Sequence, residues 1–123
     1  GEMRAAEVVG TQLAARVATG IRTGTMNSNS GSLLKLYTAD LHLRRCEVAI
    51  DLAGAASVAW GDGDGNAEEH ALKYLTRQGT SIMGGTNEIQ RNIISERVLD
   101  LPREAAPDKD MPFNQVPSGR TTA

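Results

Sequence analysis

The stretch from Ser81 to Glu104, SIMGGTNEIQRNIISERVLDLPRE, carries the groups in this sequence best suited to meet a ligand. Two adjacent glycines, Gly84 and Gly85, let the backbone turn tightly where a helix is about to start, and the first amides of a helix have no partners within it. Those amides, with the Thr86 hydroxyl, can converge on the oxygens of a ribose or a phosphate. The same residues also describe a plain stop and restart, in which the glycines end one helix and Thr86 or Asn87 caps the next. Residue chemistry alone leaves both readings open.

Other spacings carry less. Asp62, Asp64 and Asn66 follow the first, third and fifth positions of a calcium loop. Ala67 stands where that loop needs glycine and Lys73 where it needs its last carboxylate, so no metal is expected. His42 and His70 fall on different expected helices, with no spacing to a carboxylate or cysteine that completes a ligand set, and are read as solvated or packed between helices. Arg44, Arg45, Arg91 and Arg97 read as a solvated helix face, with pairing of one across a subunit contact as the alternative. No nucleophile with an adjacent base can be assigned.

Composition narrows the class. Of 123 residues, 40% are hydrophobic but only 3% aromatic, so a core must be built from Ala, Leu, Ile and Val, which favours closely approaching helices over a sandwich. The formal net charge of −2 comes without a dense basic face, which argues against nucleic-acid binding. Cys46 is the single cysteine. It rules out an internal disulfide, argues against a cysteine-based zinc site and suits a reducing cytosol, and it is expected to pack inside a helix. No apolar run approaches the roughly 20 residues that cross a bilayer, and residues 1–10 hold no signal-peptide stretch. A soluble, cytoplasmic protein with no membrane partner is the expectation.

The elements that must position the glycine pair follow from periodicity. Met3, Ala6, Val9, Leu13, Val17 and Ile21 stripe one face of a first helix from Glu2 to about Ile21. Thr23 to Ser32 is rich in Gly, Ser, Asn and Thr and reads as a loop. A longer second helix runs from Leu33 to about Val58, with Ser30 or Ser32 as cap. The run Gly61–Gly65 (GDGDG) breaks it, because consecutive flexible residues lose backbone entropy in a helix. A third helix starts at Asn66, with Glu68 and Glu69 at its positive end, and fades by Gly79. The last begins after Gly85, with Asn87 as cap and Gln90 at capping-box spacing, carries Ile89, Ile93, Ile94 and Val98, and stops before Pro102. The fold class is therefore all-α, an up-and-down helical bundle over residues 1–104. Residues 105–123, rich in proline and without period, form an extended or flexible tail, mobile or laid across a partner.

The run Gly84 to Leu99, GGTNEIQRNIISERVL, followed by Leu101-Pro102-Arg103-Glu104, closely resembles the final helix and terminus of bacterial acyl-CoA dehydrogenases. Ser32-Leu33-Leu34-Lys35-Leu36-Tyr37 and the helix after it resemble the family's penultimate long helix more weakly, and Glu2 to Gly24 the one before. The resemblance implies FAD as cofactor and an acyl-CoA substrate, oxidised to the trans-2-enoyl thioester by α-proton abstraction and hydride transfer to flavin. It also implies that Gly85 and Thr86 border the flavin, that Glu88 lies near the adenosine portion, and that Gly54 belongs to a second patch against the FAD of a neighbouring subunit. In that patch Asp51 replaces the family's glutamine, and a carboxylate beside a pyrophosphate is repulsive. The family's upstream Arg-x-x-Phe-Gly phosphate contact is absent from the chain. In one large group of the family the catalytic glutamate occupies the position of Gly84 here, so no catalytic residue is assigned. Three explanations stand: a base on an earlier helix upstream of Gly1, which is preferred; a non-catalytic subunit of a heteromeric dehydrogenase; or an interaction module that has lost the reaction. A bundle lacking its first helix is expected to expose apolar faces and to form dimers or higher oligomers.

Overall fold

A computed structural model of the chain describes residues 1–58, 65–103, 105, 106 and 108–116. The chain winds into helix α1 (Glu2–Thr23), α2 (Gly31–Ala53), α3 (Gly65–Thr76), a single turn α4 (Gly79–Ile82) and α5 (Asn87–Ile93), and no strand occurs among the described residues. The all-α, up-and-down arrangement is the one the periodicity predicts.

Helix α2 is the centre of the packing, touching α1, α3, α4 and α5. Its sequence explains this: apolar residues occur all round it rather than on one stripe, as a helix with neighbours on several sides requires. It runs antiparallel to α1. The Tyr37 hydroxyl donates to the Ala6 carbonyl at 2.8 Å, and Gly10 lies against the Tyr37 ring, where a Cβ would come within 3.1 Å of Cε1. Arg45, about two turns further along α2, reaches Glu7 at 3.6 Å. Helix α3 also runs antiparallel to α2, with the Cys46 thiol against the Lys73 carbonyl and, past the end of α3, Lys35 Nζ donating to the Thr80 carbonyl of α4 at 2.7 Å.

Local chemistry sets the element ends, and several differ from the periodicity. Helix α1 continues to Thr23, where Gly24 at φ 72° ends it in the left-handed conformation. The expected loop before α2 contains a 3-10 turn, Ser28–Ser30, because the Asn27 side chain accepts from the Asn29 amide. That turn feeds directly into α2 at Gly31, two residues before the expected start, and Ser30 makes no side-chain cap bond. The α-helix does not run to Val58: Gly54 at φ 58° breaks it, and a 3-10 segment, Gly54–Val58, follows. Helix α3 begins at Gly65, one residue before Asn66, whose side chain, with Asp62 and Asp64, lies outside the described residues. It ends at Thr76, and α4 is a separate turn before the glycine pair.

The last helix is also not uniform. After Ile93 the backbone changes to a π-helical turn, Ile94–Val98, with the Leu99 amide donating to the Ile94 carbonyl at 2.9 Å. Asp100, at φ 54°, then turns the chain, a conformation that aspartate tolerates better than most residues. The Asn27 side chain donates from Nδ2 to the Arg97 carbonyl at 3.1 Å and ties this end to the α1–α2 connection. Among the described tail residues, Phe113–Gln115 form a 3-10 turn and Phe113 is 96% exposed. Cys46 is buried, as expected, and Val17, Ala39 and Ala71 are the other buried hydrophobic residues among those described.

Candidate functional site

The bend before α5 is built by four residues. Gly84 and Gly85 take φ values of 71° and 95°, which side-chain-bearing residues rarely adopt. The two glycines serve different ends. A Cβ on Gly85 would lie 2.8 Å from Gln90 Nε2, whereas one on Gly84 would meet nothing within 4 Å. Gln90 is buried and donates from Nε2 to the Gly84 carbonyl at 2.9 Å, so it clamps the bend from the inside. Gly85 thus makes room for the clamp, and Gly84 leaves its outer side open.

Thr86, not Asn87, caps the helix. Its backbone is extended (ψ 159°), and its hydroxyl accepts from the Ile89 amide at 3.3 Å. Asn87 is already the first helical residue and cannot fold back in this way, so the capping box expected between Asn87 and Gln90 does not form. The Asn87 Oδ1 is instead buried without a hydrogen-bond partner. Glu88 follows, with its side chain 77% exposed. Its carboxyl is held below the ordinary carboxylate range, first by its own backbone amide, then by the Thr86 hydroxyl, with a smaller contribution from Arg91 at 3.7 Å. Gly84, Gly85, Thr86 and Glu88 therefore share one turn. It presents an open backbone, a hydroxyl already engaged in capping, and a charged carboxylate facing water.

Gly54 is not part of that turn. Lys35 holds the start of α2 against Thr80, close to the bend, and Gly54 lies 19 residues further on, roughly 28 Å along the helix at 1.5 Å per residue. Around Gly54, Asp51 and Leu52 are exposed, and a Cβ on Gly54 itself would meet nothing within 4 Å. The two patches cannot touch the same end of one ligand from one chain.

His42 and His70, read as solvated or packed between helices, are brought to one place: both line a cavity between α2 and α3 together with Arg45, Cys46, Ala49 and Lys73. The sequence held a signal for this, because residues 42, 45, 46 and 49 share one face of a helix and residues 70 and 73 one face of another. Pairing the two faces needed the antiparallel register. No group of three or more His, Cys, Asp or Glu able to hold a metal occurs among the described residues. Likewise, no helix among them is long and apolar enough to cross a membrane.

Residues 1–99 match the family described as acyl-CoA dehydrogenase, C-terminal domain. The chain belongs to this family. Among curated relatives, acyl-CoA dehydrogenase IpdE1 of Mycobacterium tuberculosis is 46% identical over 71 residues, which are 58% of this chain and 18% of that protein. IpdE1 of Mycolicibacterium smegmatis is 46% identical over 70 residues, 57% of this chain and 17% of that protein. The matched stretch thus spans less than a fifth of either relative. No solved structure matches the chain.

Proposed function

We propose that this chain is the C-terminal helical domain of an FAD-dependent acyl-CoA dehydrogenase, and that it supplies cofactor contacts to a longer enzyme rather than acting alone. In that enzyme an acyl-CoA is oxidised to the trans-2-enoyl-CoA, and bound FAD would supply the hydride acceptor. Residues 1–104 are the domain and residues 105–123 an appended tail. A cytoplasmic location goes with this reading, since the single cysteine is kept as a buried thiol.

The observation that carries the reading is the bend at Gly84 and Gly85, on a chain that matches the family over residues 1–99. Its outer side has no side chain at Gly84, so the backbone can approach the edge of a flat cofactor. Gly85 and Thr86 would border the flavin, with the Thr86 hydroxyl shared between its cap bond and the cofactor. Glu88, exposed and ionised, would meet the hydroxyls of the adenosine portion as an acceptor. The fit is good at this turn and poorer at Gly54. There an open glycine suits close approach by a neighbouring subunit's FAD, while exposed Asp51 opposes a pyrophosphate.

Gly84 itself, where part of the family has its base, favours a second reading in which the domain belongs to a non-catalytic subunit of a heteromeric dehydrogenase. One experiment addresses both. The purified parent should carry flavin absorbance that bleaches on adding an acyl-CoA, alone if its base lies on an earlier helix and only with a partner subunit in the second case. A parent that holds no flavin, or whose flavin no thioester bleaches with or without partner, would refute the proposal. The 123-residue chain alone should hold little FAD, because one helix terminus does not enclose an isoalloxazine.

A further inference from the structure

Away from the glycine bend, a half-open cavity of about 260 Å³ lies between α2 and α3, lined by His42, Arg45, Cys46, Ala49, His70 and Lys73. The α2 residues recur at i, i+3, i+4 and i+7 and the α3 residues at i and i+3, so each helix turns one face into the space. Two of the lining groups are permanent cations, two are imidazoles, and no carboxylate lines the cavity. Each cation is paired with a carboxylate outside the lining, Arg45 with Glu7 and Lys73 with Glu69.

The donors are only partly used. Arg45 meets Glu7 through Nε at 3.6 Å, and a guanidinium carries further N–H donors in a fork that matches an oxyanion. Lys73 pairs with Glu69 on its own helix, and an ammonium has three donors. The four side chains of these pairs are between 32% and 61% accessible, so solvent screens each pair and a dianion competes with Glu7 and Glu69 for the two cations. Cys46 is the floor: its thiol donates to the Lys73 carbonyl at 3.7 Å, and its Sγ lies 3.6 Å from His42 Nε2. A metal cation is disfavoured here by repulsion from Arg45 and Lys73. A ligand with several acceptor oxygens and two negative charges suits the lining better than any neutral molecule.

We propose that this cavity between α2 and α3 is a phosphate-binding site, formed by Arg45 and Lys73 with the imidazoles of His42 and His70. The proposal is independent of the cofactor reading and uses none of its residues. The phosphate could be free or the monoester of a nucleotide; the shared chemistry is a doubly charged tetrahedral oxyanion.

The test is an NMR titration of the 123-residue chain at constant pH and ionic strength, following the imidazole C2 protons of His42 and His70. Inorganic phosphate and adenosine 3′,5′-bisphosphate are added in separate arms, with chloride as control. Saturable shifts of both histidines with phosphate, absent with chloride, are expected. A bisphosphate that binds more tightly than phosphate identifies a nucleotide source, and equal binding a free ion. The double variant Arg45→Gln, Lys73→Gln should weaken binding about tenfold or more by removing both permanent charges. Arg22→Gln, on α1 and outside the lining, should leave it unchanged. Should the double variant lose helicity by circular dichroism, Lys73→Gln alone gives the same comparison. Shifts matched by chloride, shifts confined to one histidine, or affinity unaltered by these substitutions would overturn the proposal.

Discussion

Thr86 concentrates the chemistry of the glycine bend in one hydroxyl. It accepts from the Ile89 amide and also helps hold the Glu88 carboxylate in its charged form. Replacing it as Thr86→Ala should cost about 1 kcal/mol, the usual value of a lost helix cap, readable in chemical denaturation. The same change should move the Glu88 titration upward toward the ordinary carboxylate value, observable by NMR. The direction of the pH effect follows. A carboxyl whose folded pKa is depressed contributes stability that is present above its unfolded pKa and lost as pH falls through the folded value. Acidification should therefore loosen the start of α5 in the native chain, and less so in Thr86→Ala. An unmoved Glu88 titration in that variant would show that the hydroxyl is not a partner. At this scale the sequence was half legible. Paired glycines before a helix signalled positive φ, but Thr86 and Asn87 are both capping types, and only the extended backbone at Thr86 chooses between them. The reach of Gln90 back to Gly84 leaves no pattern in sequence, because it depends on a bend already formed.

Among the elements, α2 joins the bundle together, and Tyr37 packs over Gly10 of α1. The small residue lets the ring approach α1, and the hydroxyl reaches the Ala6 carbonyl. Tyr37→Phe keeps the ring and removes the bond. Because that carbonyl also serves the helix ladder, the loss should be about 0.5–1.5 kcal/mol, not the larger cost of an orphaned group. Urea denaturation measures it, and an unchanged midpoint would mean that water replaces the hydroxyl without penalty. Helices α1 and α2 were legible to within two residues at their starts and at the end of α1, since long apolar periodicity resists local disturbance. The end of α2 was not, because a single glycine inside a helical pattern can be tolerated or can end the helix. The π-helical turn after Ile93 was illegible for a different reason. Ile93, Ile94 and Val98 satisfy the core-facing spacing of either helix, and the change from α to π resides in the backbone hydrogen bonds.

Taken whole, the described chain buries few large apolar side chains. Val17, Ala39, Cys46 and Ala71 are its buried hydrophobic residues, while Val8, Val9, Leu72, Leu75 and Phe113 are all at least 48% exposed. Covering one such aliphatic side chain is worth roughly 1.5–3 kcal/mol, and a net charge of −2 opposes association only weakly. The chain should therefore self-associate. Helix α3 offers the clearest place to test this, because Leu72 and Leu75 each lie two positions beyond His70 and Lys73, about 200° around the helix, and so face away from the α2 cavity. Charges placed there do not enter the packed side. Leu72→Glu with Leu75→Glu should retain helical content by circular dichroism and shift the sedimentation distribution from dimers or larger species toward monomer. A native chain that sediments as a monomer at tens of micromolar would refute the expectation of self-association. A double variant that associates as the native chain does would instead move the contact to the exposed face of α1 at Val8 and Val9.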